Sequence, residues 1–248
     1  MKRSICLLLA FLICLVMPVT AYAETYRMNG TDLSIQVDDT IWYVFTRDNL
    51  ENNPELEELG VSYDAIHSIF YDNDAYMDAV LYYGDEGYIE FFIRKTPQTS
   101  GLVNLSNYSQ EDVTKFAAAF AEQHNIQEYS VYENQYKFAK MEYFDSNAEM
   151  YLCEFITVVN KENYTFTFQS TFEFGDFEHE QIDTIIDSIV FDVDTTLKEP
   201  KNSSMGESVL KNTLIGAISG GIAGGLIALF NKKKKKSKDT ADCGPEIN

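Results

Sequence analysis

Residues 24–200 contain little cysteine and little positive charge. Only one of the four cysteines, Cys153, lies there, so no disulfide can form within this range. The range holds nine of the 19 lysines and arginines but 35 of the 39 acidic residues, which gives it a formal charge of −26. Such a surface should repel nucleic acid and anionic lipid headgroups and admit cationic ligands, although solubility alone would also explain it. A hydrophobic core must hold the fold without disulfides, and about 175 residues suffice for one.

The motifs of common enzyme classes are also missing. G-x-S-x-G, the P-loop, CxxC and HExxH occur nowhere in the chain. Cys153 could be a nucleophile with His67, His124 or His179 as its base. Because Cys153 alternates with aromatic residues along a predicted strand, it belongs more naturally in a core as an inert thiol. We therefore expect neither catalytic residues nor a cofactor, and an exported enzyme is the alternative.

A cluster of acidic residues is the one candidate metal site. Asp72, Asp74 and Asp78 offer oxygen ligands at close spacing, which calcium favours. The glycine and the distal glutamate of an EF-hand loop are absent, so the other interpretation is a solvated acidic loop. A calcium-dependent protein stays an alternative function.

The N-terminus has the order of a secretory signal. Two basic residues precede an apolar run over residues 5–16, and the small-residue triplet Ala21-Tyr22-Ala23 follows. As a helix the run reaches about 18 Å, which is too short for the roughly 30 Å of a bilayer core. The pattern predicts a signal peptide over residues 1–23 that is removed before Glu24.

The C-terminus has the pattern of a membrane anchor. Residues 213–230, TLIGAISGGIAGGLIALF, carry no charge and reach about 27 Å as a helix. Lys232 to Lys236 follow directly, which marks the cytoplasmic side. The sequence thus predicts a single-pass protein of the cell membrane with an extracytoplasmic domain (24–193), a polar linker (194–212), a transmembrane helix (213–230) and a basic cytoplasmic tail (231–248).

Glycines recur on one face of the predicted anchor. Gly216, Gly220 and Gly224 are four residues apart and would form a smooth groove along the helix. Small residues allow close approach of two membrane helices, so the groove predicts a homo-oligomer or a partner helix.

The extracytoplasmic part alternates between strand and helix patterns. Strands are predicted at 25–28, 33–37, 41–46, 75–83, 88–95, 128–133, 136–144, 149–159 and 164–174, with a short edge strand at 190–193. The strand over 164–174 has one apolar face and one wet face. Helices are predicted after Asn53, after Ser62, after the N-cap Ser109 and after the N-cap Asp176. The sum is an α+β domain with an antiparallel sheet.

This order of elements resembles the PsbP-like superfamily. The resemblance rests on residues 35–42, the hairpin over 75–95 and the closing segment TFTFQSTFEFGDFEHEQIDTIIDSIVF, and it covers residues 30–193. The family includes the extrinsic photosystem subunit, Ran-binding Mog proteins and exported bacterial proteins. The resemblance implies an α/β/α sandwich with a central antiparallel sheet and a mostly non-enzymatic binding role.

Tyrosines are frequent in the predicted domain. Exposed tyrosines are enriched in binding surfaces, although they also pack well in sheets. The candidates are Tyr71, Tyr76, Tyr82, Tyr83, Tyr88, Tyr129, Tyr132 and Tyr136. With the charge and the topology, they predict a surface-displayed interaction module that binds an extracellular protein or a cationic ligand.

Overall fold

Ten strands and four α-helices make up the regular structure of residues 23–51, 53–59, 61–98 and 101–198, which the computed structural model describes. The strands are β1 (Glu24–Arg27), β2 (Leu33–Val37), β3 (Trp42–Thr46), β4 (Ala75–Tyr82), β5 (Tyr88–Pro97), β6 (Glu128–Glu133), β7 (Lys137–Asp145), β8 (Met150–Val159), β9 (Glu162–Ser170) and β10 (Val190–Phe191). The helices are α1 (Pro54–Leu59), α2 (Tyr63–Asp72), α3 (Gln110–His124) and α4 (Asp176–Asp187). Two 3-10 turns, Gly84–Glu86 and Leu105–Asn107, complete the chain path.

The predicted signal peptide and membrane anchor lie outside the described residues, as do Gly216, Gly220 and Gly224. Within the described ranges, every helix is too short or too polar to cross a membrane.

Seven strands form one antiparallel sheet in the order β3-β4-β5-β9-β8-β7-β6. Strands β3 to β5 and strands β6 to β9 are each neighbours in sequence, and each group is called a meander below. Short turns join the successive strands of both groups except β3 and β4, whose connection contains α1 and α2. The two meanders meet where β5 pairs with β9, with Phe91 opposite Phe168. These two rings stack with their centroids 4.3 Å apart.

The remaining strands form a second antiparallel sheet, in the order β1-β2-β10. The sequence predicted one sheet, and the structure corrects this to two. Leu33, Ile35 and Val37 of β2 point into the same apolar cluster as the large sheet, so β2 lies over a face of that sheet and does not extend its edge. The observed fold agrees with the predicted α+β class.

One face of the large sheet carries the main core. Alternate residues of its strands point to this side, and α4 and the small sheet cover it. The largest members are Phe91, Phe138, Phe155, Phe166, Phe168 and Tyr164, all fully buried. Burying each such side chain contributes about 1.5–3 kcal/mol, so this layer dominates the stability of the domain.

The opposite face is also covered, which corrects the predicted wet face of β9. Thr167 and Gln169 point to this side and are 0% and 3% exposed. Phe116 and Phe120 of α3 pack with β7 and β8 here, and α2 packs with β3 and β4. Alternation of polar and apolar residues therefore identifies the two faces of a strand, but it does not show which face is exposed to solvent.

Two element ends also differ from the prediction. Strand β9 ends at Ser170, where its pairing with both neighbours stops and Ser170 Oγ accepts a hydrogen bond from the N–H of Phe172 at 3.1 Å. Asp176 is the first residue of α4 and not its cap. The N-cap is Gly175, whose N–H donates to Glu178 Oε2 at 2.9 Å.

Candidate functional site

The three acidic residues that the sequence suggested as metal ligands have different environments. Asp72 ends α2 and accepts a hydrogen bond from Ser68, and Asp74 is an exposed turn residue with φ of 52°. Asp78 is only 1% exposed, within β4. Among the residues that the structure describes, no group of three or more His, Cys, Asp or Glu side chains could hold a metal ion.

Cys153 is a core residue, as predicted. It lies within β8 with 0% exposure, and burial raises the pKa of its thiol. Its cross-strand neighbour is Glu142, which is bound in turn by His179. A thiol that stays protonated and shielded from solvent is a poor nucleophile, because the thiolate is the reactive form.

The three histidines lie in separate places. His67 stacks on Tyr71 with ring centroids 4.2 Å apart, and burial lowers the pKa of His124 at the end of α3. His179 places Nε2 3.0 Å from Glu142 Oε1 and Nδ1 2.9 Å from the carbonyl oxygen of Gly175. Both ring nitrogens of His179 therefore face oxygen atoms, and this arrangement ties α4 to β7.

A row of buried polar side chains crosses the middle of the large sheet, on the face covered by α2 and α3. Asp78 and Glu90 hydrogen-bond to each other, and Gln169 Nε2 donates to Glu90 Oε2 at 2.5 Å. Two carboxyl groups can bond in this way only when one of them is protonated. Burial and the nearby charge of Glu90 raise the pKa of Asp78 well above its ordinary value, which supplies that proton.

The row continues on β8. Glu154 is fully buried and accepts hydrogen bonds from the Tyr143 hydroxyl at 2.9 Å and from Thr167 Oγ1 at 3.1 Å. Burial raises the pKa of Glu154, while the positive charge of Arg94 opposes that rise. The row thus joins β4, β5, β9 and β8 through side chains. The sequence showed these residues at alternate strand positions but held no sign that they meet.

The accessible feature of the sheet is its last strand, β6. It pairs with β7 on one side and is the end of the sheet on the other. Glu128, Tyr129, Ser130 and Glu133 are exposed, and Tyr129 has 43% of its surface open to solvent. Open strand edges present unpaired N–H and C=O groups that can pair with another chain.

The direction of the β6 backbone groups follows from Lys137. Its N–H donates to Ser106 Oγ at 3.0 Å and its carbonyl accepts from Thr157 Oγ1 at 2.8 Å, so both point away from β6. Residues opposite each other in an antiparallel pair alternate between bonded and non-bonded pairs. Glu133 lies opposite Lys137, so Glu133, Val131 and Tyr129 turn their N–H and C=O groups to the open edge. Within the described ranges, none of these groups has a hydrogen-bond partner.

An acidic pocket of about 640 Å³ adjoins the start of β6. It is formed by the connection from α3 to β6, the hairpin from β7 to β8 and the segment after β9. Its lining includes Glu128, Glu142, Asp145 and Glu173, and no lysine or arginine among the described residues. The open edge and the pocket together, here called the β6 site, therefore favour positively charged ligands.

The predicted tyrosine surface is divided. Tyr71, Tyr82 and Tyr129 are 52%, 51% and 43% exposed, whereas Tyr88 is buried. The other four are partly buried against the main core, namely Tyr76, Tyr83, Tyr132 and Tyr136. Of the exposed three, Tyr129 belongs to the β6 site.

Comparison with known proteins shows a distant likeness at the level of structure. No family model and no curated protein matches this chain. Among solved structures, the solution structure of cyanobacterial PsbP (CyanoP) from Synechocystis sp. PCC 6803 is similar over 71% of this chain and 95% of that chain, with 11% sequence identity and a TM-score of 0.40. Nothing about function follows from a likeness this distant.

Proposed function

We propose that the chain is a binding module without catalytic activity that is displayed outside the cytoplasm on one C-terminal membrane helix. The observation that carries the proposal is the β6 site, where an open strand edge lies beside an acidic pocket. Convergent polar groups in a concave site, next to unpaired backbone groups, are what a protein ligand requires.

The proposed location rests on the sequence. The order of charge, apolar run and small residues before Glu24 supports export, and the uncharged run over 213–230 followed by Lys232 to Lys236 supports an anchor with its tail inside. The formal charge of −26 between residues 24 and 200 supports a cationic ligand or an extracellular protein with a basic surface.

We also propose that the domain is an α/β/α sandwich of the PsbP-like type. The support is the order of elements and the closing segment TFTFQSTFEFGDFEHEQIDTIIDSIVF, which ends in a strand, a helix and a short strand.

Protease treatment of intact cells tests the location. With an epitope tag after Asn248, external protease should remove the domain and leave a short tagged fragment that contains residues 213–248. In inverted membrane vesicles the tag should be digested instead. A tag that is cleaved in intact cells would contradict the proposed topology.

Photo-crosslinking tests the binding role. A photoreactive amino acid at exposed Tyr129 should give a discrete adduct on intact cells. The same substitution at Tyr82, which is similarly exposed but lies on β4, is the matched control and should not give it. Equal adducts at both positions, or none at Tyr129, would contradict a binding role for the β6 site.

A further inference from the structure

On the basis of the binding function proposed above, we propose that the ligand of the β6 site is an extended, positively charged segment of a partner protein, which pairs with β6 as an eighth strand of the large sheet. This names both the mode of recognition and the chemistry of the partner. It follows from the backbone geometry of β6 and from the charges around it.

The backbone of β6 supplies the affinity. Tyr129, Val131 and Glu133 each present an N–H and a C=O group to the open edge, at alternate positions along the strand. An extended segment can meet all of them in one ladder, as in other cases of strand addition to a sheet edge. A helical ligand cannot form this ladder, because its own backbone groups are already paired.

A second copy of this chain is a poor occupant of the same edge. Strand β6 carries Glu128 and Glu133 and no lysine or arginine, so two β6 strands side by side would bring together like charges. Like charges on neighbouring strands destabilise a pair. The charge of −26 on the domain adds repulsion between copies over a longer range.

A basic segment matches the acidic surroundings of the edge. Glu128 borders the acidic pocket, and α4 contains five acidic residues and no lysine or arginine. Helix α4 approaches the edge at Asp187, which accepts a hydrogen bond from Tyr132 of β6 at 2.8 Å. The pocket gives space for a long lysine or arginine side chain beyond the start of β6.

The basic residues near the edge are already engaged within the chain. Lys137 Nζ donates to the carbonyl oxygen of Tyr108 at 2.6 Å. Lys140 Nζ lies 4.0 Å from Glu142 and 5.3 Å from the centre of the Phe155 ring. Neither lysine forms an ion pair with Glu128 or Glu133 within the described ranges, so these two carboxylates are left for a basic partner.

Amide hydrogen exchange gives a direct test. The full chain, labelled with 15N and held in a neutral detergent, is mixed with the peptide Lys-Val-Lys-Val-Lys-Val. Exchange at the N–H groups of Tyr129, Val131 and Glu133 should slow at least tenfold at saturation. The N–H groups of Ser130 and Tyr132 should change little, since they already bond to β7. Binding of the peptide without slower exchange at Tyr129, Val131 and Glu133 would overturn strand addition.

Matched variants separate the backbone from the charges. Val131→Pro removes an outward N–H and should weaken peptide binding at least tenfold, whereas Val131→Thr keeps the N–H and the branched shape and should bind normally. Glu128→Gln with Glu133→Gln should raise the Kd by about two- to fivefold for each charge. Glu51→Gln, an exposed acidic residue on the loop after β3, should leave the Kd unchanged.

Two further results would overturn the proposal. A peptide with glutamate in place of lysine that binds equally well would exclude a basic partner. Slower exchange at the β6 edge on raising the protein concentration, without peptide, would identify a second copy as the occupant. The crosslink at Tyr129 on intact cells is independent of both results. If the crosslink forms at Tyr129 but the peptide does not bind, the binding function stands and strand addition is wrong. If the peptide binds but no crosslink forms on cells, the strand edge accepts a basic peptide and the proposed binding function is wrong.

Discussion

The two edges of the large sheet differ in how the chain treats them. On the outer side of β3, the side chain of Asn49 accepts a hydrogen bond from the N–H of Thr46 at 2.7 Å and donates to the carbonyl oxygen of Val44 at 3.0 Å. This amide thus takes the place of a neighbouring strand. The outer groups of β6 have no such substitute in the part of the chain that the structure describes.

The closed edge of β3 and the open edge of β6 differ in how they limit unwanted pairing with other chains. Unpaired edges invite association with other chains, and proteins usually block or charge them. Strand β3 is blocked by Asn49, while β6 is guarded only by Glu128 and Glu133. Negative charge repels acidic partners and attracts basic ones, so the edge of β6 can select its partner, whereas the edge of β3 is closed to all of them. This difference supports β6 as the functional edge.

Proline substitutions should give the largest contrast within β6. Ser130→Pro removes an N–H that bonds to β7 and should lower the free energy of unfolding by about 3 kcal/mol. Val131→Pro removes an N–H that faces the open edge and should lower it by less than about 1 kcal/mol. Urea denaturation of both variants measures the difference. Equal losses would show that the outward assignment of Val131 is wrong.

The closed edge predicts the next largest effect. Asn49→Ala leaves Thr46 N–H and Val44 C=O without partners and should lower the free energy of unfolding by about 1–3 kcal/mol. Asn49→Asp keeps the acceptor but loses the donor, so its loss should be smaller. Urea denaturation is the measurement, with Glu51→Gln as the neutral control. If Asn49→Ala were as stable as the parent, the side-chain amide of Asn49 would not stabilise this edge as proposed.

The buried carboxyl pair extends the comparison to the middle of the sheet. The pKa of Asp78 in the folded state lies above its unfolded value of about 3.9, so stability is fully present below about pH 4 and is lost as the pH rises through the folded pKa. Glu154 has a raised pKa and acts in the same direction. The slope is at most about 1.4 kcal/mol per pH unit for each proton.

Substitution isolates the contribution of the pair. Asp78→Asn replaces the acid by a neutral group of the same shape, so the fall in stability between pH 5 and pH 7.5 should become shallower. Asp194→Asn is the control, since the pKa of exposed Asp194 is lowered by hydrogen bonds from Thr196 and the group does not titrate in that window. The urea midpoint at each pH is the measurement. An unchanged slope in Asp78→Asn would assign the pH dependence to other groups.

Calcium should have the smallest effect, on the β3 and β4 side of the sheet. Because Asp78 is buried while Asp72 and Asp74 are exposed, millimolar calcium should shift the Tm by less than about 1 °C. Thermal melting followed by Trp42 fluorescence measures it, and Asp72→Asn is the matched variant. A larger rise that is lost in Asp72→Asn would restore the calcium alternative.

Local signals in the sequence predicted the elements well. The bounds of β2 and β6 match the prediction, and Ser109 caps α3 by accepting a hydrogen bond from the N–H of Asp112 at 3.1 Å. Alternation also placed Cys153 in the core. These features depend on neighbours within a few residues, which a pattern can register. The signal peptide and the anchor depend on equally local patterns and stay predictions, because they lie outside the described residues.

Long-range pairing was not predictable in the same way. The second sheet arises because Leu33 of β2 meets Phe191 of β10, residues at opposite ends of the domain. Burial of Thr167 depends on which helix covers β9, and the open edge of β6 depends on the strand order. No period or composition encodes that order. The β6 site therefore emerged only with the topology.

The pairing of β5 with β9 affects how the chain folds while it is being synthesised from its N-terminus. Ile89 of β5 faces Ser170 of β9, so the centre of the sheet cannot close until the 81 residues after Ile89 have been made. Contacts between such distant positions slow folding and leave strands exposed in the meantime. The first meander must wait with Phe91 and Ile93 uncovered while the second is completed. A chaperone that holds an unfolded chain would find its binding segment there, in β5.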